Sequence, residues 1–267
     1  MNQASIAIDP VRSSEHDSIH QSPTNSVRRT LQVLAAFDGS RTVLGVSEVA
    51  ARADVPKSTA HRLLNVMSQQ GFVRREGNRY RLGERLFELG ARALEPRGLR
   101  ERAIPFMAEL HHSTLETIHL AVLRGDQVLY VEKIYGHGAA PCPTTVGGRN
   151  PATCTGLGKA ILSSCSEDAV DAILGSRLPR PTRNSLHTRQ ALHRNLTISR
   201  EEGVAVDYEE LRMGLACVSA PIIDRSTGAA VAALSISAPT SRFNRRRFTV
   251  QLLKATEALS LGSLRSA

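Results

Sequence analysis

One segment of the chain carries a run of hydrogen-bonding side chains with no acid among them. In residues 57–69, apolar side chains recur at i, i+3, i+4 and i+7 and predict one buried stripe of a helix: Ala60, Leu63, Leu64 and Met67. The remaining positions hold Lys57, Ser58, Thr59, His61, Arg62 and Asn65. An acid-free face of this kind suits the major groove of duplex DNA, and the free N–H groups at the helix start suit a phosphate. We expect the base or phosphate contacts here, with Ser58, Thr59 and Arg62 foremost.

A basic hairpin follows this helix. Two strand-like segments, 72–75 and 79–82, flank a turn at Gly77 and Asn78. The hairpin carries Arg74, Arg75, Arg79 and Arg81. Strand alternation predicts Arg79 and Arg81 on one face, with Tyr80 and Leu82 on the other. Arg79, at the tip, is expected to contact the flanking DNA backbone or the minor groove.

The net charge of the chain is concentrated in the same region. The 267 residues hold 34 Lys+Arg and 25 Asp+Glu, a net charge of +9 with histidine neutral. Residues 24–100 hold 14 basic and 7 acidic side chains, a net +7, whereas residues 101–267 hold 19 and 15, a net +4. A small basic domain beside a more balanced one indicates a polyanion-binding unit, although scattered basic side chains often form only a solvated surface.

Three helices are expected to position the basic segment. The first begins at the N-cap Ser26, carries Val27, Leu31, Leu34 and Ala35 at helical spacing, and ends near Asp38 and Gly39. Ser47, also a candidate DNA contact, caps a second, short helix that Pro56 ends. The third begins near Lys57 and ends at Gly71. Three helices and a hairpin predict a winged helix-turn-helix domain over residues 24–83, preceded by a flexible tail, residues 1–23.

The rest of the chain predicts a larger α+β domain. A helical pattern from residue 84, interrupted by Pro96 and Gly98, marks a linker over residues 84–103. In residues 104–267 we expect mostly antiparallel strands, helices over 155–163, 167–174, 188–202 and 248–261, and a loop over 136–151.

Composition excludes several classes of protein. With 41% hydrophobic and only 4% aromatic residues, the chain predicts an aliphatic core. No apolar run approaches the ~18 to 20 residues of a membrane span, and the first 23 residues do not resemble a secretory signal. The four cysteines, which form no C-x-x-C pair, are Cys142, Cys154, Cys165 and Cys217. The expectation is a reduced, cytoplasmic protein that binds no metal and needs no cofactor.

Enzymatic motifs are incomplete. Gly156, Gly158 and Lys159 resemble the end of a phosphate-binding loop, but Thr153 and Ala160 stand where the loop needs Gly and Ser/Thr. There is no G-x-S-x-G motif, and His111 and His112 lack metalloprotease spacing. No spacing supports Cys154 or Cys217 as a nucleophile beside His119 or His137. Two alternatives stay open: an enzyme fused to a DNA-binding module, and a C-terminal domain that only oligomerises.

Several motifs together resemble the IclR family of bacterial transcriptional regulators. Residues 47–64 (SEVAARADVPKSTAHRLL) are similar to its helix-turn-helix. In the second domain, four segments match in the family's order: 153–160 (TCTGLGKA), 202–210 (EGVAVDYEE), 214–221 (GLACVSAP) and 233–237 (ALSIS). The resemblance covers about residues 25–262.

The resemblance implies a DNA-binding regulator, more often a repressor of a catabolic operon, and no enzyme. It implies a GAF-like C-terminal domain that binds a small organic acid, a homodimer or homotetramer on a palindromic operator, and no membrane association. It also implies an effector site made by Gly156, Leu157, Asp207, Cys217, Ser235 and Ser237. Ser235 and Ser237, two residues apart on one strand face, could donate to the same ligand oxygens. The chain has Thr153 and Cys154 where the family typically has a histidine before the Gly156 turn.

Overall fold

The computed structural model describes residues 23–37, 42–93, 97–138 and 144–261. The chain divides into two compact units, Met1–Arg92 and Ala93–Ala267. Of the predicted tail, Pro23 already belongs to the first helix, and residues 1–22 lie outside the described residues. Asp38, Gly39, Pro96 and Cys142, which the sequence analysis used, also lie outside them.

The N-terminal unit is the predicted winged helix-turn-helix. Its elements are α1 (Pro23–Ala35), β1 (Leu44–Gly45), α2 (Val46–Ala53), α3 (Lys57–Gln69), β2 (Val73–Glu76), β3 (Arg79–Leu82) and the start of α4 (Glu84–Ala93). The strands form an antiparallel sheet in the order β1-β3-β2. All four predicted apolar positions of α3 are buried, and Tyr80 of β3 packs in the same core. Gly71 has φ +75° after α3 ends, as expected of a helix-terminating glycine.

Two local expectations for this unit were wrong. Helix α1 begins at Pro23 rather than at a Ser26 cap, and the side chains of Val27 and Leu31 on it are each 60% exposed. Gly45, not Ser47, is the N-cap of α2, and the Glu48 carboxylate accepts the Gly45 N–H at 2.9 Å. The Glu48 carboxylate satisfies the amide of the cap residue, as the glutamate of a capping box does. Leu82 is 46% exposed, whereas Tyr80 on the same strand is buried.

The C-terminal unit is a six-stranded antiparallel sheet with helices on both faces. Its elements are α5 (Arg97–Thr114), β4 (Thr117–Arg124), β5 (Gln127–Ile134), β6 (Arg149–Pro151), a 3₁₀ turn (Ala152–Cys154), α6 (Gly156–Leu162), α7 (Glu167–Ile173), α8 (Arg189–Glu202), β7 (Ala205–Tyr208), β8 (Leu215–Ile223), β9 (Ala230–Pro239) and α9 (Arg245–Leu261). The strand order is β6-β5-β4-β9-β8-β7. Strand β6, which pairs with β5, lies in the segment predicted to be a loop; three residues with a proline carry too little periodicity to be recognised.

Strand alternation separates the two faces of this sheet. Ile118, Leu120, Val218, Leu234 and their even-numbered neighbours on β4, β8 and β9 pack against α5 and α9 in one core. The odd-numbered positions of these three strands turn to the opposite face, where Ala121 and Ala233 join a second core with α6, α7 and α8. This second face also carries the polar side chains of the effector motifs.

Candidate DNA-binding and effector-binding sites

The exposed face of α3 has side chains available for a ligand. Lys57, Ser58, His61 and Arg62 are exposed, and Thr59 is half-buried. Lys57, Ser58, Thr59 and Arg62 make no side-chain hydrogen bond or ion pair with another described residue. Ser47 on α2 is exposed as well. These six predicted DNA contacts therefore lie on α3 and on the helix before it, at the surface of the unit.

Two predicted DNA contacts are partly engaged within the fold. Asn65 is half-buried; its amide oxygen accepts the Tyr80 hydroxyl at 3.4 Å, and its nitrogen lies 3.5 Å from His61 Nδ1. The Arg79 guanidinium donates to the Val43 carbonyl at 3.4 Å and lies 4.0 Å from the Glu48 carboxylate, with its side chain 60% exposed. Both residues thus tie the wing to the rest of the unit while remaining at its surface.

The six predicted effector residues line one cavity on the α6 face of the sheet. The space free of atoms there, counted together with the open solvent at its mouth, is about 260 Å³. Its lining is Gly156 and Leu157 of α6 with Thr155 before it, Asp207 of β7, Leu211 and Leu215, Cys217 and Ser219 of β8, Ser235 and Ser237 of β9, His119 of β4, Tyr130 of β5, and Thr144. Among these described lining residues, none is Lys or Arg, so the cavity combines hydroxyls, a thiol, an imidazole and one carboxyl group.

Two glycines let α6 approach its neighbours closely, Gly156 against the sheet and Gly158 against the 3₁₀ turn. A Cβ on Gly156 would lie 2.5 Å from Ser219 Oγ, and a Cβ on Gly158 would lie 2.2 Å from the Ala152 carbonyl oxygen. Both separations are too short for any larger residue. The Gly158 N–H donates to the Thr155 hydroxyl at 3.1 Å, so the Thr155 side chain caps the helix and this amide is not available to a ligand.

His119, which the sequence did not place in the effector site, forms hydrogen bonds with both predicted serines. His119 is 1% exposed, and its Nδ1 lies 3.3 Å from both Ser235 Oγ and Ser237 Oγ. Its Nε2 lies 2.9 Å from Thr144 Oγ1. Burial, together with the Lys133 ammonium, lowers the pKa of His119 to about 3, so the ring is neutral at physiological pH.

A buried charge cluster lies beside Asp207. Lys159 is fully buried; its ammonium donates to the Val206 carbonyl at 2.6 Å and forms an ion pair with Glu210 Oε1. Asp207 Oδ1 accepts the N–H groups of Glu210 at 2.7 Å and Leu211 at 3.4 Å. Burial, and secondarily the Glu210 carboxylate, raises the pKa of Asp207 to about 7, against the opposing effect of Lys159. Asp207 is thus a mixture of charged and neutral forms near neutral pH.

Ser219 is another lining residue that sequence reasoning missed. Its side chain is 0% exposed, and its hydroxyl has no hydrogen-bond partner among the described residues. A buried hydroxyl without a partner costs free energy unless a ligand or water completes it. The signal was present in the sequence, because Ser219 falls two residues after Cys217 on the same strand face.

The candidate nucleophiles are poorly suited to catalysis. The Cys154 thiol donates to the Pro179 carbonyl at 3.2 Å, and burial raises its pKa. Among the described residues, no group of three or more His, Cys, Asp or Glu side chains could hold a metal ion. No helix in the described ranges has the length and apolar character that crossing a bilayer requires.

Comparison with known proteins decides the family. Residues 26–77 match the IclR helix-turn-helix domain, and residues 91–261 match the family described as bacterial transcriptional regulator IclR C-terminal. The chain belongs to the IclR family. It is 38% identical over 226 residues to the HTH-type transcriptional regulator KdgR of Escherichia coli, covering 84% of this chain and 85% of that protein. It is 32% identical over 244 residues to the transcriptional repressor IclR of the same organism, covering 88% and 89%.

Solved IclR-family structures agree with the fold. An IclR homologue from Microbacterium hydrocarbonoxydans, complexed with 4-hydroxybenzoate, superposes with a TM-score of 0.80 at 29% identity, covering 88% of this chain and 97% of that one. The Thermotoga maritima IclR superposes with a TM-score of 0.72 at 27% identity, covering 89% and 99%. The protein is therefore a DNA-binding transcriptional regulator of the IclR family and not an enzyme.

Proposed function

We propose that this IclR-family protein represses a catabolic operon from a palindromic operator and responds to a small organic acid held in the cavity beside α6. The observation that carries the proposal is the convergence of all six predicted effector residues on one cavity in the C-terminal unit. The relative complexed with 4-hydroxybenzoate supports an aromatic or aliphatic carboxylate as the ligand class. The acetate operon repressor of Salmonella typhimurium, 33% identical over 244 residues, supports repression of a catabolic operon.

The DNA-binding part of the proposal rests on α3 and the wing. Its residues are Ser47, Lys57, Ser58, Thr59, His61, Arg62, Asn65 and Arg79. Exposed donors without partners in the fold can exchange water for base edges and phosphates at little cost. Arg62, one turn into α3, is suited to a bidentate contact with guanine, and Arg79 to a phosphate or the minor groove. The bacterial cytoplasm, where the operator is, is the proposed location.

Exposed apolar side chains on α1 and α4 support a homodimer or homotetramer. Val27 and Leu31 on α1 are each 60% exposed, and Phe87 on α4 is 80% exposed. Large apolar side chains so exposed favour a protein partner, and a second copy would place two α3 helices on two half-sites. Effector binding would then favour one arrangement of the two DNA-binding units over another, by its differential affinity for the two.

A thermal-shift series with operator binding tests the proposal. We expect 4-hydroxybenzoate or another small carboxylic acid to raise the Tm at millimolar concentration and to change the affinity for operator DNA, measured by fluorescence anisotropy. A protein that binds operator but is stabilised by no acid in the series would favour a C-terminal unit that only oligomerises. Consumption of an acid would favour the enzyme alternative.

A further inference from the structure

Polar side chains form a continuous row across four strands of the C-terminal sheet. Lys133 on β5 pairs in register with His119 on β4, His119 with Ser235 on β9, and Ser235 with Ser219 on β8. Residues directly opposite one another on antiparallel strands project from the same face with Cβ atoms about 5 Å apart. The row therefore begins at a cation outside the cavity lining and ends at Ser219, whose buried hydroxyl has no partner among the described residues.

Thr144 connects the cation to the ring. The Lys133 ammonium donates to Thr144 Oγ1 at 3.0 Å and to the Thr144 carbonyl at 2.8 Å. An ammonium group can only donate, so Thr144 Oγ1 is an acceptor in that bond. A hydroxyl that accepts from a cation becomes a stronger donor, which favours its proton lying toward His119 Nε2 at 2.9 Å. The field of the ammonium also favours an unprotonated ring nitrogen on that side.

The direction of these bonds determines what the serines can do. If Nε2 accepts, the neutral ring carries its proton on Nδ1, which lies 3.3 Å from both serine oxygens. The serines then act as acceptors toward the ring, and each keeps its own proton to donate into the cavity. With the opposite tautomer, Nδ1 would accept a hydrogen bond from the hydroxyl of one serine, and that hydroxyl could then no longer donate to a ligand.

We propose that His119 is a positioning residue for the effector: held as the Nδ1–H tautomer by Lys133 through Thr144, it turns the hydroxyls of Ser235 and Ser237 toward a ligand carboxylate. This inference rests on the proposed effector site and extends it. It explains how a cavity lined, among the described residues, by neither Lys nor Arg can select an anion. The charge acts from the neighbouring strand, on the same face of the sheet, through oriented neutral groups, and the cavity itself avoids a buried unpaired cation.

The tautomer can be measured without any ligand. Long-range ¹H–¹⁵N correlation spectra of the full-length protein, labelled with ¹⁵N-histidine, distinguish protonated from unprotonated ring nitrogens, and His119→Asn identifies the signal by its loss. We expect a protonated Nδ1 in the parent and a shift toward the other tautomer in Thr144→Val. A protonated Nε2 in the parent overturns the proposal, and so does a spectrum that Thr144→Val leaves unchanged.

A second measurement uses the acid 4-hydroxybenzoate and the neutral amide 4-hydroxybenzamide as probes. The ratio of their affinities, by calorimetry, should favour the acid in the parent and fall about tenfold in His119→Leu. His119→Asn should restore most of the ratio, because its amide nitrogen can occupy the place of Nδ1. A ratio that His119→Leu leaves unchanged contradicts the positioning role. If no acid binds the parent, the proposed effector function fails. The tautomer spectra still decide whether Lys133, through Thr144, holds His119 as the Nδ1–H tautomer.

Discussion

The two functional surfaces of this protein use polar side chains in opposite ways. On α3, Lys57, Ser58 and Arg62 face solvent without partners in the fold, so their donors are available and cost the folded state little. In the cavity, His119, Ser235 and Asp207 are at most 2% exposed and are held by hydrogen bonds within the fold. The first surface can change residue by residue, whereas the second is coupled to the stability of its unit. Variants at matched positions can measure this difference.

The largest effect is expected from breaking the buried ion pair. Lys159→Met leaves the Glu210 carboxylate buried, without its cation and next to Asp207. A stranded buried charge costs about 3 to 5 kcal/mol, whereas replacement of both partners by apolar residues is often close to neutral. Denaturant unfolding of the C-terminal unit should show this loss in Lys159→Met and its partial recovery in Lys159→Met/Glu210→Met.

The matched control is an exposed lysine on α9. Lys254→Met removes the same group from the surface and should change the free energy of unfolding by less than about 0.5 kcal/mol. If Lys159→Met unfolds at the same denaturant concentration as this control, the two regions do not differ as argued.

Asp207 makes the cavity sensitive to pH. Its pKa rises from 3.8 to about 7 on folding, so the folded state binds more protons than the unfolded state between these values. Ionisation of Asp207 therefore lowers the free energy of unfolding progressively as pH rises from about 4 to 7. The full loss of stability is present above pH 7. Asp207→Asn keeps an acceptor for the Glu210 and Leu211 amides without the charge.

We expect the stability of Asp207→Asn relative to the parent to increase between pH 5 and 8, by on the order of 1 to 4 kcal/mol. The lowered pKa of His119 acts in both proteins and cancels from the difference. The Tm of both proteins over this pH range is the measurement. A difference that does not change with pH would mean that Asp207 stays ionised throughout.

In the DNA-binding unit, Arg62→Ala should weaken operator binding and leave the stability of the protein unchanged. Loss of a base-reading arginine weakens operator binding by about 1 to 3 kcal/mol, and the Tm should stay within one degree of the parent because the side chain is exposed. Arg194→Ala, an exposed arginine on α8, removes one positive charge far along the chain and controls for net charge. Equal operator affinities for the two variants, by anisotropy at several salt concentrations, would refute the assigned helix face.

The same contrast explains what the sequence could predict. The stripe of α3 was recognisable because a 3.6-residue period over 13 residues is a local signal, and exposed Arg62 needs no partner. The six effector residues came from the family resemblance. His119 and Ser219 were missed because β4, β9 and β8 bring them together only through the register of strands distant along the chain, and Thr144 was missed because it lies outside the strands, ahead of β6. The caps of α1 and α2 were misassigned because Ser26 and Ser47 compete with a proline and a glycine that start the helices instead.

The change in stability expected at Ser219 is small and opposite in sign to that expected at Ser235, and it is the sharpest test of the comparison. Its hydroxyl is buried without a partner among the described residues, so Ser219→Ala removes an unsatisfied group and should leave the free energy of unfolding unchanged or raise it by up to about 1 kcal/mol. Ser235→Ala, which removes a hydroxyl bonded to His119, should instead lower it by about 1 kcal/mol. Both variants should bind effector more weakly by calorimetry. A Ser219→Ala protein that is destabilised as much as Ser235→Ala, with unchanged effector affinity, would make Ser219 part of the packing and not of the site.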